Sequence, residues 1–261
     1  MTRTLWNYRG FILGSVKREF QSRYRNSLLG AAWTILQPLA MITVYTVVFS
    51  ELMRARLPGI DRAYAYSMFL CAGLLTWGLF AEILQRGQNV FLDNGNLIKK
   101  LSFPRICLPV ITVINALVNF GITFTLFILF LLAVHSFPGT VVLYTIPVLV
   151  IQIALAAGIG TIAGVLNVFF RDVGQLVNIL LQFWFWFTPI VYSIATLPPW
   201  ARSWVDLNPA TALAQAYQAI YAYGKVPDWH ALRPVALLAV IFCVLALILF
   251  RRHAGDMVDE L

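Results

Sequence analysis

Long runs without a single charged residue are the feature that most limits the fold of this chain. Five such runs stand out, at residues 26–50, 63–81, 106–170, 173–201 and 234–250. About 20 apolar residues in a helix are enough to cross the hydrocarbon core of a bilayer. The chain is 60% apolar and only 11% charged, whereas ordinary soluble domains carry about a quarter charged residues. We therefore predict an all-α integral membrane protein.

The number of membrane spans follows from the longest run. Residues 106–170 are too many for one crossing, and a turn is expected at 135–140, where Pro138 and Gly139 are adjacent. We predict six transmembrane helices, at 28–50, 63–84, 106–134, 141–166, 174–195 and 234–250. Both termini then share one side, together with 13 of the 19 Lys and Arg residues, which places them in the cytoplasm. Because these bases border the spans, the net charge of +8 indicates anionic headgroups rather than nucleic acid.

Residues 5–25 precede the first span and alternate between apolar and basic side chains. Tyr8, Ile12, Val16, Phe20 and Tyr24 recur every four residues, which is the spacing of one helical face. The pattern favours an amphipathic interface helix in the cytoplasmic headgroup layer. The alternative is a polar lead-in whose charges only set the topology.

The segment DNGNLIKKLSFPR at 93–105 concentrates charges between two long apolar runs. We predict a short helix over 94–102 that ends before Pro104, with Leu97, Ile98 and Leu101 on one face. Such a short helix is unstable alone in water, so it needs a groove in the headgroup layer or in another protein. The chain has no GxxxxGK[ST] phosphate loop, so uphill transport would need a partner's energy. A cytoplasmic ATPase would supply both groove and energy.

Residues 197–230 are too polar to span the membrane and too apolar for a free loop. Asn208 and Pro209 supply an N-cap and a Pro at the first helical position. We predict extracytoplasmic helices here, re-entrant or interfacial, between the fifth and sixth spans.

Five successive aromatic residues occupy positions 183–187 of the fifth predicted span. Trp184 and Trp186 lie about 18–21 Å along a helix counted from Asp172, which is well inside a hydrocarbon core of about 30 Å. Aromatic rings suit the apolar C–H faces of sugars. Exposure to lipid remains the alternative for at least half of these rings.

Small residues recur every four positions at Ala156, Gly160 and Gly164. This pattern lets helices approach closely. Packing within one chain is the preferred interpretation, and a dimer contact is the alternative.

Ionisable groups inside spans, which a membrane enzyme or an ion-coupled carrier would need, are scarce. Glu82, His135 and Asp172 are the best candidates and are scattered along the chain. Glu82 precedes Arg86 by one turn, so an i,i+4 ion pair is its simplest role.

Four segments in a particular order carry a resemblance. They are RNSLLGAAWTILQPLAMITVYTVVF at 25–49, NLIKKLSFPRICLP at 96–109, FFRDVGQLVNILLQFWFWFTPIVYS at 169–193 and LNPATALAQAY at 207–217. With them the chain resembles the permease subunits of ABC-2 type exporters for bacterial surface polysaccharides: O-antigen, capsule and teichoic acid. Overall resemblance favours O-antigen. The resemblance implies a homodimer in the inner membrane that moves a polyprenyl-linked polysaccharide.

The resemblance also implies partners and residue roles. Two separate ATPase subunits would hold the ATP and magnesium, and this chain would carry no cofactor, metal or catalytic residue. The coupling helix to the ATPase would comprise Asn96, Leu97, Ile98, Lys99, Lys100 and Leu101. The channel-lining aromatics would be Trp33, Tyr45, Phe49, Phe183, Trp184 and Phe187. Helices within 197–230, including Asn208, Pro209, Tyr217 and Tyr221, would form an extracytoplasmic gate.

Two questions stay open. Arg23 and Arg25 would bind the pyrophosphate of the substrate. The equal alternative is that these two charges only set the membrane topology. The competing functions are an ABC-2 permease for small hydrophobic molecules and a membrane-bound glycosyl or acyl transferase.

Overall fold

The computed structural model describes residues 6–24, 30–48, 64–100 and 103–260. The described ranges form helices and turns, without any strand. In chain order the helices are α1 Arg9–Tyr24, α2 Trp33–Tyr45, α3 Ala65–Asp93, α4 Gly95–Lys100, α5 Cys107–Ala133, α6 Thr145–Phe169, α7 Asp172–Phe187, α8 Pro199–Asp206, α9 Pro209–Tyr221, α10 Trp229–His253 and α11 Met257–Glu260. Short 3-10 turns Gly30–Ala32, Gly139–Tyr144 and Ile194–Thr196 precede α2, α6 and α8. The chain is all-helical over these ranges, as the sequence predicts.

Within the described ranges, four helical segments are long and apolar enough to cross a membrane. They are α3, α5, α10 and the continuous segment Gly139–Phe169, which contains α6. The apolar helix Trp33–Val48, which extends α2, is shorter, and α7 has 16 residues. Six spans stay a prediction, with α2 and α7 as the two short ones. The composition and these helices describe a multi-pass membrane protein.

The fifth predicted span, 174–195, is helical only as far as Phe187. Thr188 is extended, with φ −100° and ψ 131°, because a residue before proline avoids the α region. The irregular backbone that follows is held by other helices: Gln218 Nε2 donates to the Pro189 carbonyl at 2.9 Å, and the Tyr66 hydroxyl donates to the Val191 carbonyl. Protein contacts therefore replace the helical hydrogen bonds at this depth.

Helices α3 and α6 pack closely through glycines at the centre of the fold. A Cβ atom at Gly87 would lie 3.0 Å from the backbone of Gly160, and one at Gly164 would lie 2.4 Å from the Gly87 carbonyl oxygen. On its other face α6 meets α10, where Gly158 faces Phe242. The glycines of the small-residue pattern thus serve packing within one chain, the interpretation that the sequence favours.

Gly164→Ala is expected to destabilise the protein by about 1–3 kcal/mol, as overpacking does. The new methyl group would meet a backbone carbonyl, which cannot rotate away. The thermal midpoint of the detergent-solubilised protein measures the loss. Gly121→Ala is the matched control, because an added Cβ there meets no described atom within 4 Å. Equal midpoints for the two variants would contradict the close packing of α3 and α6.

A second apolar cluster joins the ends of several helices. Ile12 of α1, Ile98 of α4, Cys107 of α5, Phe250 of α10 and Met257 of α11 are all buried in it. The cluster attaches α1 and the short helix α4 to the spans at their predicted cytoplasmic ends. An interfacial location of α1 stays a prediction.

Candidate functional site

A cavity of about 490 Å³ lies between α2, α3 and α5. On α3 its lining extends from Cys71 to Glu82, and on α5 from Asn119 to Phe127. At 1.5 Å per helical residue, the stretch on α3 makes the cavity about 17 Å long. Among the described residues that line it, Glu82 is the one ionisable carboxylate. The other polar lining residues are Thr34, Gln37, Tyr45, Asn119 and Thr123. The cavity walls are therefore mainly apolar but carry polar side chains, with Glu82 and Asn119 at one end.

Glu82 belongs to a hydrogen-bonded network that joins three helices. Its Oε1 accepts from Arg86 Nε at 2.9 Å and from Asn119 Nδ2 of α5. Arg86 Nη1 also donates to Glu19 of α1, and Glu19 accepts from Asn115 Nδ2 of α5. The Glu82–Arg86 ion pair that the sequence predicts is confirmed.

The charged side chains of this network are partly buried, so each of them needs a partner. The side chains of Glu82 and Arg86 are 25% and 23% exposed, and charges within a membrane protein need partners. Because Arg86 holds one carboxylate from α1 and one from α3, it links α1 to the polar end of the cavity. Sequence reasoning missed Glu19, Asn115 and Asn119. The sequence did contain a signal for Asn115 and Asn119, because two asparagines stand one helical turn apart inside an apolar run.

The other ionisable candidates lie apart from Glu82. His135 follows α5, at a positive φ of 53°, and is 16 residues, or about 24 Å of helix, beyond Asn119. Asp172 begins α7. The structure does not bring the three together, and no three His, Cys, Asp or Glu side chains cluster as metal ligands within the described ranges.

The predicted channel aromatics fall into separate groups. Trp33 and Tyr45 of α2 line the cavity. Trp184 instead packs edge-on against Trp77 and Phe80 of α3, with ring centroids 6.5 and 5.2 Å away.

Phe183 and Phe187, 61% and 63% exposed, lie on the open face of α7. Phe49 lies outside the described residues. A channel role for these aromatics stays a prediction.

The predicted coupling segment contains the helix α4. Ile98 is only 6% exposed and packs in the second apolar cluster, so the chain's own residues fill the groove that was expected in a membrane or partner. Leu97 is half-buried in the same cluster. Asn96 and Lys99 are exposed and form the accessible edge of α4. Leu101 and the side chain of Lys100 lie outside the described residues.

Asn208 holds the predicted gate segment to the end of α7. Its Oδ1 caps α9 by accepting from Ala210 N at 3.0 Å and also accepts from Trp184 Nε1 at 2.7 Å. Its Nδ2 donates to Thr188 Oγ1 at 3.0 Å. Pro209 is the first residue of α9, as the sequence predicts.

The tyrosines of α9 point into the protein. Tyr217 and Tyr221 are buried, and the Tyr221 hydroxyl lies 2.6 Å from Thr145 Oγ1 of α6. Both tyrosines anchor α9 against the spans, and a gate role for this segment stays a prediction. Of the two arginines proposed for pyrophosphate, Arg23 lies in α1 by its backbone, while its side chain and Arg25 fall outside the described residues.

A family model described as ABC-2 type transporter matches residues 12–222, which is most of the chain. The chain belongs to the ABC-2 type transporter family. As an ABC-2 protein it is a multi-pass membrane transport subunit. The matched region contains the cavity, the network around Arg86, helix α4 and both short helices α8 and α9, whereas α10 lies beyond it.

Three named proteins are similar to this ABC-2 chain over most of their length. It is 32% identical to the O-antigen export system permease protein RfbA of Myxococcus xanthus over 264 aligned residues, covering 100% of this chain and 99% of the relative. It is 27% identical to a protein of the same name from Klebsiella pneumoniae, covering 90% and 88%. It is 25% identical to the polysialic acid transport protein KpsM of Escherichia coli, covering 93% of each chain.

Proposed function

We propose that this chain is the permease subunit of an ATP-driven exporter that moves a lipid-linked polysaccharide of the O-antigen type out of the cytoplasm. The observation that carries this proposal is the end-to-end similarity to a protein named as an O-antigen export permease. The cavity between α2, α3 and α5 agrees with it, since aromatic walls and a polar end inside a membrane protein suit an amphiphilic sugar-bearing cargo. The protein would lie in the bacterial inner membrane, with both termini in the cytoplasm.

Energy would come from two ATPase subunits that bind the ATP and magnesium. The accessible edge of α4, with Asn96 and Lys99, supports contact with such a partner. Below it, the second apolar cluster joins α4 to α1 and to the ends of α5 and α10. A displacement of α4 by the ATPase would therefore be transmitted to the spans through these packed side chains.

A second copy of the chain would complete the pathway. Among the described residues of α7, only Gly174 and Leu181 are buried, which leaves Phe183, Trp186 and Phe187 exposed. Pairing two copies through this face would place aromatic rings of both along a shared path. Such a surface can slide along sugar rings without recognising one sequence of sugars.

Purification from native membranes tests the proposal. An ATPase with a phosphate-binding loop is expected to co-purify with the chain, and lipid-linked polysaccharide is expected to stimulate its ATP hydrolysis. Stimulation by small hydrophobic molecules instead would favour the competing permease. An active protein without an ATPase would contradict the proposal.

Lys99→Glu is expected to reduce the recovered ATPase about tenfold, because a reversed charge at a docking edge disfavours association. The amount of ATPase per permease after affinity purification measures this. Lys225→Glu makes the same charge change at an exposed residue on the predicted opposite side of the membrane and is the control. If both variants recovered equal amounts of ATPase, Lys99 would not contribute to ATPase docking.

A further inference from the structure

The short helix α4 depends on contacts with other parts of the chain. Its six residues are too few for a helix that is stable alone in water. At its start, the amides of Leu97 and Ile98 donate to the Asn94 carbonyl at 3.0 Å. Beyond its end, the ring of Phe103 packs against that of Phe11 in α1, with centroids 5.0 Å apart. These contacts lie at the two ends of α4, so its orientation depends on what packs against its apolar side.

Helix α11, from the far end of the chain, packs against α4 and also against α6. Met257 of α11 is fully buried, at 0% exposure, in the second apolar cluster, which also contains Ile98 of α4. Asp256 and Glu260, on either side of Met257, are exposed. Among the side chains described in residues 254–260, Met257 is therefore the one that anchors α11.

The burial of Met257 stabilises α4 and α11 together. Both helices have fewer than two turns, with six and four residues, so each needs tertiary contacts to persist. Shortening a buried methionine to alanine removes apolar contacts and leaves a cavity. The long helices keep their own packing, for example through the glycines between α3 and α6. The expected result of such a loss is local opening around α4 and α11, while the spans stay folded.

The position of α11 also gives α4 a second connection to the spans. Helix α6, which α11 contacts, packs against both α3 and α10. Helix α4 lies inside the region that the family model matches, whereas α11 lies beyond it. The family assignment therefore does not assign a role to α11.

We propose that α11 is a positioning element for ATPase docking: Met257 holds α4 in the orientation that leaves Asn96 and Lys99 exposed to the partner. The apparent affinity for the ATPase then depends on the fraction of chains in which α4 is held, because only that fraction is competent to bind. The inference rests on the proposed function for the identity of the partner. It adds a positioning residue that lies outside the docking edge.

Hydrogen/deuterium exchange of the full-length permease in lipid nanodiscs tests whether α11 holds α4, without any ATPase. The readout is the exchange rate of the peptide that contains the Leu97 and Ile98 amides. Met257→Ala is expected to accelerate this exchange at least about tenfold, because losing a buried methionine side chain favours local opening. Met257→Leu nearly conserves the volume and is expected to stay close to the wild-type rate. Glu260→Gln changes an exposed residue of α11 and is the matched control.

Co-purification of the ATPase tests the positioning role itself. Met257→Ala is expected to lower the recovered ATPase per permease at least about threefold, while the size-exclusion profile of the permease stays that of the wild type. Met257→Leu is expected to restore the recovery, and Glu260→Gln is expected to leave it unchanged. If Met257→Ala does not accumulate, Met257→Val, which removes less volume, replaces it with the same direction of change in both measurements.

Three outcomes overturn the positioning role. They are an unchanged exchange rate in Met257→Ala, faster exchange with undiminished ATPase recovery, and losses in Met257→Leu or Glu260→Gln that equal those in Met257→Ala. If no ATPase co-purified even with the wild-type chain, the proposed function would be contradicted and α11 would have no docking to support. The exchange rates would still show whether α11 holds α4, because they are measured without the partner.

Discussion

Arg86→Leu is expected to lower the amount of folded protein in the membrane to a small fraction of the wild-type amount. The guanidinium pairs with Glu82 and Glu19, so its loss leaves two carboxylates near the predicted membrane surface without this partner. Breaking a fully buried ion pair costs about 3–5 kcal/mol. Because these side chains are partly exposed, we expect about 2–3 kcal/mol here. Size-exclusion profiles of tagged protein, together with thermal midpoints, measure the folded amount.

Arg171→Leu is the matched control for this change. It removes an exposed arginine from the same predicted side of the membrane and is expected to change neither profile nor midpoint. Combining Arg86→Gln with Glu82→Gln is expected to recover part of the loss, because removing both partners costs less than removing one. A wild-type midpoint for Arg86→Leu would show that the network does not hold α1 to α3.

Ile98→Asp is expected to lower the folded amount more strongly than Arg86→Leu, rather than only to uncouple the permease from its ATPase. Ile98 packs with Phe91 and Cys107 inside the chain, where a carboxylate would lose its hydration and gain no described partner. We expect a loss of about 3–5 kcal/mol, read out by the same size-exclusion profiles.

Asn96→Asp places the same charge at an exposed position of α4 and separates folding from coupling. It is expected to keep the folded amount of the wild type. If Ile98→Asp instead gave normal amounts of folded permease without ATPase, Ile98 would lie in the partner's groove and leave the second apolar cluster on docking.

Local sequence information was enough for the features that depend on near neighbours. Uncharged runs indicated a helical membrane protein, since the bilayer requires backbone hydrogen bonds to be satisfied within a helix. Asn208 before Pro209 predicted the start of α9, and Glu82 before Arg86 predicted their ion pair. The four-residue spacing of Gly160 and Gly164 predicted close packing. The last three of these features depend on residues within about one helical turn.

Other features required the arrangement of distant helices. Glu19, Arg86 and Asn115 are far apart in sequence and meet because α1, α3 and α5 pack together. Trp184 turns towards α3 whereas Phe183 and Phe187 remain on the open face of α7.

The path of the backbone after α7 depends on Gln218 and Tyr66, which donate to the carbonyls of Pro189 and Val191. Ile98 and its apolar neighbours on α4 could have faced lipid, a partner or the chain itself.

The physical reason is the solvent. In water an apolar face predicts a buried face, because burial is what removes it from the solvent. In a bilayer, lipid tails are as apolar as the protein interior. The sequence of this chain therefore determined that it is helical, where its apolar helices lie and how α9 begins. Which face of each helix meets lipid, cavity or neighbour was settled by tertiary packing, through glycine contacts between α3 and α6 and through polar side chains that must find partners.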